Sequence, residues 1–230
     1  MKILITGASE GIGMSTALEL ASAKHELLLL ARNLGNLEKV KAECEKLGAE
    51  RVTTFKVDIK NPSEIEEFVN KINELDGIVN NAGIWQKKAQ LDEIPEEDIY
   101  DVINTNLTGM IILTKKVLPL IRKSSNGFII NISSRSGYFA QPGQTIYSAT
   151  KYGVRGFTEV LREDLVDSGI RVAGIYQGGT NTQMFNKAGE NFPTDKLSTF
   201  IHPKQLARVI AFLISLPKGV WLSEVRVEKK

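Results

Sequence analysis

The chain has 230 residues, of which 42% are hydrophobic, and this length and composition suit one α/β domain with a continuous core. Its 29 basic and 27 acidic residues give a net charge of +2, which is too small to attract nucleic acid or an anionic membrane. Cys44 is the only cysteine, so an intramolecular disulfide is excluded and the cytoplasm is the expected location.

Short apolar runs alternate with longer segments of helical periodicity, a pattern typical of a parallel sheet with helices on both faces. The predicted strands cover residues 3–6, 26–31, 51–57, 77–80, 127–132, 171–175 and 220–227. The predicted helices cover residues 12–23, 34–47, a segment starting at 61–63, 96–122 with uncertain breaks, 147–167 and 203–216. The expected fold class is therefore α/β, a doubly wound parallel sheet of about seven strands flanked by helices, in a single domain over residues 1–230.

A glycine-rich turn directly follows the first predicted strand and precedes the first helix. It reads Thr6-Gly7-Ala8-Ser9-Glu10-Gly11-Ile12-Gly13. Glycines here permit a tight turn and let the backbone approach a pyrophosphate, while the helix N-terminus favours an anion. The spacing differs from the general fingerprint G-x-G-x-x-G, so the turn alone is a weak signal. In this setting it predicts the cofactor site of a Rossmann-type fold, formed by Gly7, Ser9, Glu10, Gly11, Ile12 and Gly13.

The end of the second strand bears on the choice of nucleotide, because it meets the adenine ribose in such folds. The strand ends in Ala31-Arg32-Asn33 and offers no carboxylate to a ribose 2′-hydroxyl. The guanidinium of Arg32 suits a 2′-phosphate instead, although Glu10 would repel that phosphate if it lay nearby. We therefore expect NADP(H) to be preferred over NAD(H), the alternative being that Arg32 is a solvated charge.

A Tyr-x-x-x-Lys pair lies in the predicted helix 147–167. Tyr147 and Lys151 are four residues apart, so their side chains share one helix face. A nearby ammonium lowers the pKa of a phenol, which would let Tyr147 exchange a proton with a carbonyl or alcohol. Ser134, after the fifth strand, is the candidate for holding the substrate oxygen, with Ser133 and Ser136 as alternatives.

Four groups of residues follow one another along the chain in a characteristic order and spacing. They are the glycine turn with Thr6, Asn80-Asn81-Ala82-Gly83 after the fourth strand, Asn106, and the set Ser134, Tyr147 and Lys151. Over nearly the whole chain this arrangement resembles the short-chain dehydrogenase/reductase family, in its compact single-domain branch. The resemblance implies that Asn106 positions a water in a proton relay with Lys151, whereas a purely structural hydrogen bond is the competing interpretation.

The resemblance also implies further contacts with the cofactor. They comprise Asp58 and Ile59 beside the adenine, Asn81, Ala82 and Gly83 on the adenosine side, Tyr147 and Lys151, and Gly178, Thr180 and Thr182 after the sixth strand. Thr182 would meet the nicotinamide amide, whereas Asp58 could equally be a turn residue. Gln177 stands where the family usually has a proline, so the rigidity of that turn is in question.

The least regular stretch, residues 178–199, follows the sixth strand at the edge where open α/β sheets bind ligands. We expect it to form a substrate lid, an ordinary surface loop being the alternative. Several apolar side chains are candidates for the pocket wall: Trp85, Tyr138, Phe139, Met184, Phe185 and Phe192. Neither His25 nor His202 has cysteine or histidine partners nearby in sequence, so no metal site is predicted.

Together these features predict an NADP(H)-dependent oxidoreductase that transfers hydride between the nicotinamide and an aldehyde, ketone or β-ketoacyl substrate. Tyr147 is the expected general acid and base. The alternatives are a nucleotide-binding regulator without chemistry and an NADH-using alcohol dehydrogenase. The resemblance further implies a homodimer or homotetramer packed through helices around residues 107–122 and 147–167.

Overall fold

A computed structural model describes residues 1–230, with a parallel sheet of seven strands at its centre. The strands are β1 (Lys2–Thr6), β2 (Glu26–Ala31), β3 (Arg51–Lys56), β4 (Gly77–Asn80), β5 (Phe128–Ile132), β6 (Arg171–Gln177) and β7 (Glu224–Val227). Their order is β3-β2-β1-β4-β5-β6-β7, and all neighbours pair in parallel. The predicted doubly wound α/β fold is confirmed.

Helices connect the strands and cover both faces of the sheet. They are α1 (Gly11–Ser22), α2 (Leu34–Lys46), α3 (Pro62–Val69), α4 (Glu96–Ile103), α5 (Gly109–Ile121), α6 (Thr145–Asp164), α7 (Met184–Lys187), α8 (Thr194–Ser198) and α9 (Pro203–Ser215). The start of α3 follows the predicted pattern, because the Asn61 side chain accepts a hydrogen bond from the Ser63 amide and Pro62 begins the helix. No helix combines the length and the apolar character needed to cross a membrane.

The sheet separates two apolar layers, because successive residues of a strand point to opposite faces. In β1, Ile3 and Ile5 pack in the layer formed with α1, α2 and α9, while Leu4 packs in the layer formed with α3 and α5. β2 alternates in the same way, with Leu29 in the first layer and Leu28 in the second. Burial on both faces explains why these strands are continuous apolar runs in the sequence.

Two element predictions need correction. The last strand begins at Glu224 rather than at residue 220, because Gly219 turns at φ 89° and Val220 is exposed. The long segment 96–122 is divided by a π-helical turn, Asn104–Thr108, between α4 and α5. Gly109 follows that turn against the backbone of the β3–α3 connection, where an added Cβ would lie 2.2 Å from the Ile59 carbonyl oxygen.

The strand order determines where the ligand crevice is expected. The chain moves outward from β1 to β2 and β3, then returns to the other side of β1 at β4. In open α/β sheets the ligand binds where this reversal occurs, outside the carboxyl ends of the strands. The turns after β1 and β4, which carry the glycine turn and Asn81 to Gly83, meet at this point.

Candidate active site

The glycine turn after β1 has a backbone conformation that residues other than glycine could adopt only with strain. Gly7 and Gly11 have φ values of 64° and 56°, in the left-handed region that favours glycine. A Cβ on Gly13 would lie 2.3 Å from the Gly7 carbonyl oxygen, so α1 can pack against the turn only with glycine there. Glu10 at the N-cap gives no side-chain hydrogen bond to α1, whose first amides are therefore free for an anion.

Thr6 joins the glycine turn to the segment after β4. Its hydroxyl oxygen accepts hydrogen bonds from the amides of Asn81 and Ala82, each at 2.9 Å. The Asn81 side-chain amide donates in return to the Thr6 carbonyl oxygen, also at 2.9 Å. Thr6 was part of the sequence pattern but had no predicted role, and here it fixes the two cofactor-facing turns relative to each other.

A cleft of 480 Å³ runs along these turns. Among the predicted cofactor residues, it is lined by Gly7, Glu10, Gly11, Ile12, Arg32, Asn81, Ala82, Gly83 and Thr182. An added Cβ on Gly11 would lie 3.1 Å from a methyl carbon of Thr182, so the glycine turn and the segment after β6 close on each other. The cleft thus brings together nine of the residues that the sequence predicted to bind the cofactor.

Several predicted cofactor residues lie outside that cleft. Tyr147, Gly178 and Thr180 line the adjoining pocket described below. The lining of neither cavity includes Ser9, Gly13, Asp58, Ile59 or Lys151. The Asp58 carboxylate accepts a hydrogen bond from the Lys60 amide at 3.0 Å. This contact is the turn interaction that the sequence left open for Asp58.

The charges at the mouth of the cleft are arranged in a way the sequence did not reveal. Glu10 forms an ion pair with Lys187, the last residue of α7, across the opening of the cleft. Arg32 also lines the cleft, is exposed, and makes no salt bridge. The carboxylate that would oppose a 2′-phosphate is thus neutralised locally, while the guanidinium remains available.

Tyr147, Lys151 and Ser134 come together at the carboxyl end of β5. Tyr147 and Lys151 are one turn apart on α6 and are both buried, with the ammonium nitrogen 5.5 Å from the centre of the phenol ring. Ser134 and Tyr147 line the same pocket, and the Ser134 hydroxyl acts to lower the pKa of the phenol. The Lys151 ammonium donates to the Ile132 carbonyl oxygen at 3.1 Å.

Burial changes the acidity of both groups. It raises the pKa of Tyr147 to about 12, although the hydrogen bond with Ser134 acts in the opposite direction. Burial also lowers the pKa of Lys151 to about 8, because the charged ammonium loses hydration. The pKa of Tyr147 is therefore raised rather than lowered in this structure, because desolvation outweighs the effect of Ser134.

The two alternative serines have other partners. Ser133 donates to the Lys151 carbonyl oxygen at 3.1 Å, and Ser136 donates to the Gln144 side-chain oxygen at 2.8 Å. Both are buried structural contacts that hold the start of α6 against the turn after β5. Of the three serines, Ser134 is the one whose hydroxyl faces Tyr147.

Asn106 lies in the π-helical turn, nearly fully buried. Its side chain pairs with the backbone of Ile84, accepting from the amide at 2.7 Å and donating to the carbonyl oxygen at 2.9 Å. A Cβ on Gly83 would lie 3.2 Å from the Asn106 oxygen and 3.9 Å from the Lys151 ammonium. The geometry therefore includes the structural hydrogen bond, and it also places Asn106 and Lys151 close to the same side of Gly83.

A second pocket of 260 Å³ contains Ser134 and Tyr147. Four of the predicted apolar residues line it, namely Trp85, Met184, Phe185 and Phe192, whereas Tyr138 and Phe139 do not. The Trp85 ring lies 4.5 Å from the ring of Tyr147 and 5.0 Å from that of Phe185, between centroids. Aromatic rings thus form an aromatic wall of this pocket beside the phenol.

Sequence reasoning missed three residues of this region. Phe200 lines the pocket one residue beyond the predicted lid, and its ring packs on Phe185 and Phe192. Gln86 is buried and accepts a hydrogen bond from the Tyr147 amide at 3.4 Å. Glu190 accepts from the Trp85 indole at 2.7 Å. Aromatic content near the lid could have suggested Phe200, but no local pattern distinguishes Gln86 or Glu190 from surface polar residues.

Residues 178–199 contribute to the lining of both cavities. They include α7 and α8, and they contact the body of the protein through Glu190 and Lys187 as described above. No group of three or more His, Cys, Asp or Glu side chains is arranged to hold a metal ion.

Comparisons with known proteins agree with this geometry. The family model described as short chain dehydrogenase matches residues 1–192. The NADP-dependent 3-hydroxy acid dehydrogenase of Schizosaccharomyces pombe is 32% identical and aligns with 98% of this chain and 91% of its own length. The 3-oxoacyl-[acyl-carrier-protein] reductase FabG of Thermotoga maritima is 36% identical over 92% of this chain and 89% of its own length.

A solved structure has the same fold throughout. It is an alcohol dehydrogenase from the archaeon Thermococcus sibiricus in complex with 5-hydroxy-NADP. It superimposes with a TM-score of 0.90 at 27% identity and covers 99% of this chain and 96% of its own.

Proposed function

The chain belongs to the short-chain dehydrogenase family of oxidoreductases, and from this premise we propose that it transfers hydride between NADP(H) and a carbonyl or alcohol substrate, with Tyr147 as general acid and base. The observation that carries the proposal is the shared pocket of Tyr147 and Ser134, behind which the Lys151 ammonium is buried. A hydroxyl and a phenol facing one cavity can both hydrogen-bond a single carbonyl oxygen.

The proposed chemistry assigns one task to each side chain. Ser134 holds the substrate oxygen through a hydrogen bond, and Tyr147 donates its phenolic proton to that oxygen during reduction and accepts one during oxidation. The Lys151 ammonium, held by the Ile132 carbonyl oxygen, favours the phenolate that remains after proton transfer. A bound nicotinamide would supply or accept the hydride. The aromatic wall of Trp85 keeps water away from the phenol.

The turn after β1 fits a dinucleotide. Gly13 allows α1 to approach Gly7, and the first amides of α1 have no side-chain cap, which together make a cradle for a pyrophosphate. Asn81, Ala82 and Gly83 would hold the adenosine side, and Thr182 the nicotinamide amide. Asp58 and Ile59 beside the adenine, and the proton relay of Asn106, belong to the same proposal. Of these, the relay also has geometric support, because Asn106 and Lys151 both lie close to the same side of Gly83.

The preference for NADP(H) over NAD(H) rests on two charges. Arg32 follows β2 and lines the cleft without an ion-pair partner, so its guanidinium is free for a 2′-phosphate. Glu10 is neutralised by Lys187, which removes the repulsion that its carboxylate would exert. The Schizosaccharomyces pombe relative is named as NADP-dependent, and the Thermococcus sibiricus structure contains a derivative of NADP.

The test is the oxidation of NADPH by the purified protein across a panel of aldehydes, ketones and β-ketoacyl esters. Tyr147→Phe removes the phenolic proton and is expected to lower kcat at least about a hundredfold while NADPH still binds. Tyr100→Phe is the matched control, because Tyr100 is an exposed tyrosine that lines neither cavity. Full activity of Tyr147→Phe would refute the assigned role. Tight NADPH binding without turnover of any carbonyl would favour the non-catalytic regulator.

A further inference from the structure

The two cavities differ in the charges of their walls. The 480 Å³ cleft is lined by three acidic and three basic side chains, namely Glu10, Asp98, Asp101, Arg32, Lys87 and Lys187. The 260 Å³ pocket with Tyr147 is lined by three basic side chains, Lys88, Arg135 and Lys196, and by no carboxylate. The pocket that holds the phenol is thus the one whose lining side chains carry only positive charges.

These three cations have weak partners or none. Lys196 forms no ion pair, and its side chain belongs to α8 at the exposed rim. Lys88 lies 3.7 Å from Glu190, whose other oxygen already accepts the shorter hydrogen bond from the Trp85 indole. Arg135 and Glu228 are 3.9 Å apart and both half exposed, so solvent screens their attraction.

The cations reach the pocket from three separate parts of the chain. Lys88 follows β4, Arg135 follows Ser134 directly at the end of β5, and Lys196 lies on α8 within the proposed lid. Because every charged side chain in this lining is a cation, the pocket attracts an anion. Arginine and lysine are both common partners of carboxylates and phosphates.

We propose that the carbonyl substrate carries an anionic group, a carboxylate or a phosphate, that binds among Lys88, Arg135 and Lys196 while its carbonyl oxygen meets Ser134 and Tyr147. This inference rests on the proposed function and names the substrate class of the same site. The volume of 260 Å³ lies just below the usual range of about 300 to 1,000 Å³ for drug-sized ligands, so the substrate is a small molecule.

The experiment compares matched pairs of substrates that differ in charge. NADPH-dependent reduction is measured for acetoacetate against methyl acetoacetate, and for dihydroxyacetone phosphate against dihydroxyacetone. We expect kcat/KM to be about tenfold or more higher for the anion in at least one pair, because a hydrogen bond to a charged group is stronger than one to a neutral group. The pair with the larger ratio distinguishes a carboxylate from a phosphate. The ratio should fall as ionic strength rises.

Two variants locate the effect in the pocket. Lys196→Gln and Arg135→Gln should each raise KM for the preferred anion about tenfold more than for its neutral analogue. Lys218→Gln is the matched control, because Lys218 is exposed and lines neither cavity. Equal or better reduction of the neutral analogues would overturn this inference, as would an unchanged ratio of anion to neutral analogue in both variants. Either result would leave the proposed carbonyl reduction unaffected. Absence of any carbonyl reduction despite NADPH binding would overturn both.

Discussion

Tyr147 and Lys151 are affected by burial in opposite directions. Desolvation keeps the Tyr147 phenol protonated up to a pKa of about 12, so the proton needed for reduction is present throughout the physiological range. The Lys151 ammonium has a pKa of about 8, so it is the group whose charge changes near neutral pH. The phenolate that follows proton transfer is favoured only while Lys151 remains charged.

Carbonyl reduction should therefore decline as the pH rises through about 8. Lys151 is charged below its pKa and neutral above it, whereas Tyr147 retains its proton on both sides of this value. The measurement is kcat/KM for the carbonyl at saturating NADPH, from pH 6 to pH 10, with protein integrity followed by circular dichroism. A profile that stays level through the alkaline range would contradict the role of Lys151.

Arg32 is expected to select the nucleotide. Arg32→Asp removes the partner of a 2′-phosphate and adds a carboxylate that can accept hydrogen bonds from a 2′-hydroxyl. The ratio of kcat/KM for NADPH to that for NADH should fall by about tenfold or more. Arg51→Asp makes the same change of charge at the first residue of β3, at the amino-terminal ends of the strands and away from the cleft. It should leave the ratio unchanged. An unchanged ratio in Arg32→Asp would support the NADH-using alternative.

At the scale of elements, α7 links the proposed lid to the glycine turn. The short helix ends at Lys187, whose ammonium pairs with Glu10 over the cleft. The same segment is attached on its other side by the hydrogen bond between Glu190 and the Trp85 indole. The lid is thus connected separately to the cofactor turn and to the wall of the substrate pocket.

Loss of the Lys187 charge should weaken the binding of NADPH. In Lys187→Ala the Glu10 carboxylate becomes an unpaired negative charge beside an anionic cofactor, and the Kd for NADPH should rise about threefold to tenfold. Adding Glu10→Gln should restore most of this loss, which a double-mutant cycle measures by fluorescence titration of NADPH. Lys41→Ala, which breaks a surface pair with Glu45, is the control. Additive effects would show that the ion pair has no part in cofactor binding.

At the scale of the whole molecule, the parallel sheet brings the residues of the site together. β1, β4, β5 and β6 all run in one direction, so the turns that follow them meet at one edge. The glycine turn, Asn81, Ser134 and Thr182 come from four of these turns. A continuous sheet supports the expected single domain over residues 1–230, in which the cofactor and catalytic parts are not separable units.

The homodimer or homotetramer expected from the resemblance leads to a test on α6. This helix exposes Tyr152 and Val160, the latter to 60% of its surface, which suits an interface more than a solvated face. Light scattering at micromolar concentration should give a multiple of the 25.4 kDa chain mass, and Val160→Glu should shift it towards the monomer. Leu47→Glu, an exposed leucine at the end of α2, is the control. A monomeric mass for the unaltered protein would contradict the expectation.

The sequence determined the elements and the residue types of the site, because these depend on short-range patterns. The apolar runs of β1 and β2, the capped start of α3 and the glycine turn are all local features, and the family resemblance supplied the roles of Ser134, Tyr147 and Lys151. Local patterns did not locate the start of β7 or the break within residues 96–122, because both depend on the tertiary structure. The start of β7 depends on an exposed edge, and the π-helical turn depends on the approach of Gly109 to the backbone of Ile59.

Only the tertiary structure decided how groups distant in sequence act on one another. The pKa of Tyr147 is raised because neighbouring segments bury the phenol, which the spacing of Tyr147 and Lys151 cannot reveal. The pairing of Glu10 with Lys187 joins residues from opposite ends of the chain. The convergence of Lys88, Arg135 and Lys196 on one pocket is likewise invisible in sequence. Electrostatic energy depends on separation in space and on burial, and both are set by the fold.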